Sequence, residues 1–267
     1  MSFFRANWKA SGRLAIVTGA SSGIGRELTK LLVPKQCTVI AVARRADRLE
    51  ELSNELPGES VQRLIPLVGD VTDQSVCERA IKMIDERAEG KLDLLVNNAG
   101  IGGIGPFAGA GPERFREIME VNVFAPAMWI RHTLPNLRAN AQSGPVICNI
   151  GSVLRHRAVA SKSEYSASKF ALHGFTDSLR AELASEGITV TLVSPSTTRS
   201  EFFDSLVGTE PDQKSASVGS WSPDRVARET LKAIERRSDE RILSLGGKAL
   251  VYADRLCPPL MNWILRS

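Results

Sequence analysis

Tyr165 and Lys169 stand four residues apart in the stretch SEYSASKFALHGF, residues 163–175, which reads as the opening of a long helix. Residues at that spacing share one face of a helix. An ammonium group would therefore lie beside a phenol that ordinarily keeps its proton until about pH 10. A neighbouring cation favours the phenolate and is expected to lower the pKa of Tyr165 by about 1–3 units. Such a phenol can exchange a proton with an alcohol or carbonyl oxygen near neutral pH. The small neighbours Ser166, Ala167 and Ser168 leave room for a bound group. Taken alone, the pair reads first as a helix-surface contact worth roughly a few tenths of a kcal/mol.

Two further segments change that balance. Ser152 ends the apolar run PVICNIGS, and a hydroxyl there could donate to an oxygen on which negative charge builds. Its plainer role is to cap a turn. Near the N-terminus, TGASSGIG (18–25) joins an apolar strand to a helical pattern. Gly19, Gly23 and Gly25, with Ser21, Ser22 and Ile24 between them, form a turn whose backbone N–H groups can approach a pyrophosphate at a helix start. GASSG also fits the nucleophile elbow of serine hydrolases, with Ser21 as nucleophile. That fold needs several strands before the elbow, and only one precedes it here. The end of the second strand reports on the ribose of a bound dinucleotide. An acid there suits a free 2′-hydroxyl, but this strand ends in Ala43, Arg44 and Arg45. Guanidinium groups suit a 2′-phosphate, so the expected cofactor is NADP(H), unless both arginines are solvated loop charges.

The elements that must hold these residues alternate regularly. Apolar runs RLAIVTG, TVIAVAR, RLIPLVGD, LDLLVNNAG, PVICNIGS, ITVTLVSPS and RILSLG are separated by helical patterns. Helices are expected from about Ile24 to Val33, from about Ala46 to Leu56, from Asp73 onward, through Leu137 after a Gly/Pro-rich loop at Ile101–Pro112, across Tyr165, and after Ser222 with Pro223 first. Continuous apolar strands suit a parallel sheet covered on both faces. The order implies an α/β, Rossmann-type doubly wound sheet with helices on both faces. No composition break marks a second domain, so residues 1–267 read as one unit with its core at about 12–245 and a tail at 246–267.

Composition narrows the function classes. Net charge is +4 with both signs mixed, which argues against a nucleic-acid partner. Cys37, Cys77, Cys148 and Cys257 are scattered without metal-like or paired spacing, so free thiols in a reducing, cytoplasmic setting and no metal site are expected. No signal-peptide pattern opens the chain, and no apolar run approaches the ~20 residues a membrane span needs.

Five segments in this order resemble the short-chain dehydrogenase/reductase family: TGASSGIG, GDVT (69–72), NNAG (97–100), Asn122 in VNVFAP, and Ser152 followed by YSASK. The resemblance covers roughly Gly12 to Leu245. It implies an oxidoreductase moving hydride between NADP(H) and a carbonyl or alcohol carbon of a small molecule, and a homodimer or homotetramer. It implies that Tyr165 is the acid/base, Lys169 its activator and a ribose ligand, Ser152 the carbonyl orienter, and Asn122 the residue that positions a water. By the same resemblance Asp70 and Val71 touch the adenine, while Asn98, Ala99 and Gly100 line the cofactor cleft. Asn97 and Asn98 are equally readable as structural amides, and a buried structural amide is the alternative for Asn122. The competing class is a binding protein that senses NADP(H) without turnover, although such a sensor has no need of Ser152, Tyr165 and Lys169 together.

The segment after the sixth strand departs from the family pattern. It reads Pro195, Ser196, Thr197, Thr198, Arg199, Ser200, where Thr198 falls at the position that reads the carboxamide of the nicotinamide. Ser196 replaces a glycine and would be strained if a positive φ is needed. Substrate choice is expected in three loops: Ile101–Pro112, Val153–Glu164 and Glu201–Ser222. In the second, Arg155, His156 and Arg157 could meet an acidic substrate group or form a solvated or subunit-contacting rim. The tail carries Leu250, Val251, Leu256, Leu260, Trp263 and Ile264, broken by Pro258 and Pro259. It is expected to cover the pocket or a neighbouring subunit, with membrane-surface contact as the alternative.

Overall fold

Seven short apolar runs become seven strands: β1 (Leu14–Thr18), β2 (Thr38–Ala43), β3 (Leu64–Val68), β4 (Leu94–Asn97), β5 (Val146–Ile150), β6 (Thr189–Ser194) and β7 (Glu240–Ile242). The computed structural model describes residues 7–196, 198, 206–207, 220–256 and 259. The strands form one sheet in the order β3-β2-β1-β4-β5-β6-β7, and every pairing is parallel. The chain winds outward from β1 to β3 and then crosses to β4. That reversal opens a crevice at the carboxyl ends of β1 and β4.

Every residue of β1, β5 and β6 is buried, as a sheet covered on both faces requires. Alternate residues serve opposite faces. Ala15 and Val17 of β1 join a core with Leu28 and Leu32 of α1 (Gly23–Leu32), Leu49 and Leu52 of α2 (Ala46–Glu55), and Val226 and Ile234 of α7 (Pro223–Glu235). Ile16 lies in the other core, with Val76 and Ile84 of α3 (Gln74–Ala88), Trp129 and Leu137 of α5 (Ala125–Ala139), and Leu183 of α6 (Ser163–Leu183). Pro66 sits in β3, which pairs only with β2. An edge strand tolerates the missing N–H.

Helix starts follow their signals. Asp73 caps α3 by accepting the Ser75 N–H at 2.8 Å, and Pro223 opens α7 after Ser222. Two elements differ from expectation. The stretch through Leu137 is not one regular helix: α4 (Pro112–Met119) and α5 are joined by a π turn at Glu120–Phe124, where the Ala125 N–H reaches back to the Glu120 carbonyl. The last strand stops at Ile242, and Leu245 already begins α8 (Leu245–Leu256). Gly247 of α8 packs on Val153, since a Cβ there would stand 2.8 Å from its Cγ1. Val251 is fully buried, whereas Tyr252 and Leu256 are exposed. Leu260, Trp263 and Ile264 lie outside the described residues, as do Pro258 and the side chain of Leu250. Among the described residues no helix is long and apolar enough to cross a membrane.

Candidate active site

A cleft of about 920 Å³ follows the carboxyl ends of the strands. Gly19, Ser21, Ser22, Gly23 and Ile24 line one end together with Arg44, Arg45, Asp70 and Val71. Asn98, Ala99 and Gly100 line its middle, and Ser152, Tyr165, Lys169, Pro195 and Thr198 complete the lining. Of the described residues expected to act in catalysis or to bind the cofactor, Gly25 and Asn122 do not line it.

The first end depends on close backbone approach. Gly19 holds a φ of +68°, and a Cβ there would stand 2.9 Å from the Ala99 Cα. A Cβ on Gly25 would come within 2.5 Å of the Gly19 carbonyl oxygen. Gly25 therefore shapes the turn from behind. Asn98 donates from Nδ2 to the carbonyls of Thr18 and Gly19, at 2.9 and 3.1 Å, so its side chain is structural. Thr18 was not singled out from the sequence, yet its hydroxyl accepts the N–H groups of Asn98 and Ala99. The first N–H groups of a helix lack intrahelical acceptors, so the start of α1 on the cleft suits a phosphate. Arg45 donates to the Ser21 hydroxyl at 3.3 Å. Arg44 is exposed and lies 3.8 Å from Asp70. Asp70 also accepts from the N–H and hydroxyl of Thr72, and the Val71 carbonyl is held by the Trp129 indole at 2.9 Å.

At the other end, the turn after β5 meets α6. The Ser152 hydroxyl accepts the Leu154 N–H at 3.1 Å and is hydrogen-bonded to Tyr165. It caps the turn and faces the phenol at once. The Lys169 ammonium stands 5.6 Å from the Tyr165 ring centroid and donates to the Ile150 carbonyl at 3.0 Å. Burial pushes the Tyr165 phenol up to about 12, partly offset by its Ser152 hydrogen bond. Burial also draws Lys169 down to about 8. This corrects the expectation of a lowered tyrosine pKa. Desolvation of the phenolate outweighs a cation that is itself desolvated and turned toward a carbonyl.

Asn122 is buried in the π turn. Its Nδ2 donates to the Ile101 carbonyl and the Ser168 hydroxyl, and its Oδ1 accepts the Ile101 N–H, all at 2.9 Å. The amide clasps the loop after β4. Asn97 donates to Asn149, which donates to Thr176, a polar tie between β4, β5 and α6. Ser196 is not among the described residues with positive φ, so serine in place of glycine brings no left-handed strain. Thr198 bridges Trp221. Arg199, Ser200 and most of the loop 201–222 lie outside the described residues, but Leu206 and Val207 line the cleft.

The Arg155–His156–Arg157 segment does not line the cleft and is not a solvated rim. Arg155 is 1% exposed. It donates to the Ser194 hydroxyl at 2.7 Å and pairs with Glu240, while Arg157 reaches Asp254 of α8 at 3.1 Å. These charges fasten the Ser152 turn to the last strands and the tail helix. The sequence gives no local signal for pairs 85 and 97 residues apart.

Comparison with known proteins gives a consistent answer. The short chain dehydrogenase family model matches residues 13–211. A dehydrogenase/reductase SDR family protein 7-like of Drosophila melanogaster is 32% identical over 265 residues, covering 95% of this chain and 79% of its own. Among solved structures, a short chain dehydrogenase from Burkholderia cenocepacia in complex with NADP has a TM-score of 0.80 at 27% identity, covering 97% of this chain and 99% of that one. A short chain dehydrogenase/reductase from Burkholderia phymatum in complex with NAD has a TM-score of 0.83 over 95% of this chain and 96% of that one. At 21% identity its likeness is one of fold.

Proposed function

Because this chain belongs to the short-chain dehydrogenase/reductase family, we propose that it is an NADP(H)-dependent carbonyl reductase with Tyr165 as its acid. The observation that carries this reading is the meeting of Ser152, Tyr165 and Lys169 at one cleft whose lining also includes the glycine turn and two arginines. Gly19 and Gly25 permit the tight backbone turn at the start of α1, and about 920 Å³ accommodates a dinucleotide beside a small molecule. When bound, the reduced nicotinamide supplies the hydride. Ser152 orients the carbonyl oxygen by donating its hydroxyl proton in a hydrogen bond. Tyr165, protonated at neutral pH, gives its proton to that oxygen as negative charge develops. Lys169, whose ammonium stands 5.6 Å from the ring centroid, stabilises the resulting phenolate by its charge. A phenol pushed up to about 12 is a competent donor to an alkoxide and a poor base, which favours reduction at neutral pH.

Arg44 and Arg45 support NADP(H), since the end of β2 carries no carboxylate to repel a 2′-phosphate and Asp70 is already drawn toward Arg44. Ile101, Ile104, Val153, Leu154, Leu206 and Val207 line the cleft, which suits a largely apolar carbonyl compound. Exposed Phe107, Phe124 and Phe170 support assembly as a homodimer or homotetramer, and the free buried thiols Cys37, Cys77 and Cys148 support a cytoplasmic setting. The test is Tyr165→Phe against a panel of apolar aldehydes and ketones, following NADPH consumption. Lost turnover with NADPH binding retained is expected, and undiminished turnover would overturn the acid assignment.

A further inference from the structure

Glu164 immediately precedes Tyr165 in the first turn of α6 and is 2% exposed. Its Oε1 accepts from Arg114 Nε at 3.0 Å and from Nη2 at 2.5 Å, while Oε2 accepts the Ser163 hydroxyl at 2.8 Å. Arg114, in the first turn of α4, is 5% exposed. Two charges held out of water in this way are a poor means of adding stability, because desolvation offsets their attraction. A two-pronged guanidinium–carboxylate contact does, however, fix the relative position of two helices with directional precision.

We propose that Arg114 and Glu164 are a positioning pair that sets the placement of Tyr165 against the loop forming the substrate-side wall. This rests on the reading of Tyr165 as the acid. The wall is the stretch from Ile101 to Gly105, held at several points. Asn122 clasps Ile101 on both its N–H and carbonyl. The Gly102 carbonyl accepts from Val207 N–H, and the Gly105 N–H donates to the Ser161 carbonyl, both at 2.9 Å. Between them, Gly103 rests on Arg114: a Cβ there would stand 3.0 Å from its Cδ and 3.2 Å from the Val207 carbonyl oxygen. One arginine side chain thus supports the wall from below and grips the residue next to the phenol. Gly103 also gains a reason to be glycine. Asn122 closes the circuit through Ser168, whose hydroxyl donates to the Tyr165 carbonyl at 2.8 Å.

The alternative is a pair that only joins α4 to α6. The two are separated by a spectroscopic readout that needs no substrate. The chain has two tyrosines, so a Tyr252→Phe protein labelled with 13C at tyrosine Cζ reports Tyr165 as one resonance. Arg114→Lys keeps the charge and loses the fork, and Glu164→Asp keeps the charge and shortens the reach. Both are expected to move or broaden the Tyr165 resonance while the NADPH Kd stays within about twofold, and to lower kcat by about tenfold or more, the scale of a slightly misplaced catalytic group. Arg114→Met/Glu164→Met is expected to recover the melting temperature lost in Arg114→Met, without recovering kcat or the wild-type resonance. An unchanged Tyr165 resonance in Arg114→Lys and Glu164→Asp would overturn the proposal, as would a double variant with wild-type resonance and kcat. If wild-type protein reduces no carbonyl on the panel, the proposed function fails on its own, and the resonance still decides the role of the pair.

Discussion

The two ends of the cleft are built by different physics. Around Gly19 the constraint is steric: backbone meets backbone, and a single Cβ at Gly19 or Gly25 would collide with Ala99 or with the Gly19 carbonyl. Around Tyr165 it is polar and long-range. Lys169, Asn122 and the Arg114–Glu164 pair are buried, the phenol is half-buried beside them, and hydrogen bonds between distant segments hold the group. The glycine turn of the first end tolerates almost no change of shape, and the charges of that end, Arg44, Arg45 and Asp70, stand beside the turn. The second can change its chemistry with small changes in charge and burial, as the raised phenol and lowered amine show.

Substitutions at each end break this contrast in different ways. The largest effect is expected for Tyr165→Phe, with kcat for carbonyl reduction falling about 1,000-fold, within the span attributed to a positioned acid, and melting temperature and NADPH affinity nearly unchanged. Gly25→Ala should do the reverse. Overpacking against the Gly19 carbonyl is expected to cost about 1–3 kcal/mol, read as a lower melting temperature and a smaller NADPH-induced thermal shift, with chemistry intact in whatever folds. Arg44→Ala/Arg45→Ala comes next: loss of charge-assisted contacts should weaken NADPH by about tenfold or more and leave NADH unaffected in parallel titrations. A wild-type protein that binds NADH more tightly than NADPH would refute the cofactor assignment. The smallest effect is expected for Ser196→Gly, within about 0.5 kcal/mol by thermal melting, because Ser196 does not occupy a left-handed φ.

The contrast also explains what the sequence discloses. The parallel sheet and its covering helices are legible because buried parallel strands are written as continuous apolar runs, and α3 and α7 carry start signals at Asp73 and Pro223. TGASSGIG and the Tyr165–Lys169 spacing are legible because their geometry is local. The π turn at Asn122 is hidden inside an otherwise helical pattern, since the widening depends on the clasp to Ile101. Arg155 looks like a surface charge until β7 brings Glu240 beside it, 85 residues along the chain. The upward sign of the Tyr165 shift is hidden from the sequence for a related reason. Spacing reveals which charge is near, but only the folded surroundings reveal how much water is lost.

The pH dependence of the reaction follows from that sign. With the phenol near 12, the base form needed for alcohol oxidation is scarce at neutral pH and grows as pH rises, so oxidation should accelerate to beyond about pH 10 while reduction is supported at neutrality. The most direct check is the ionisation of Tyr165 itself, followed by the 13Cζ resonance of the Tyr252→Phe protein across pH without nucleotide. Half-titration near pH 12 is predicted from burial of the phenol. Half-titration at or below about pH 10, the value of an unperturbed tyrosine, would contradict the account of Tyr165 as a desolvated, protonated acid.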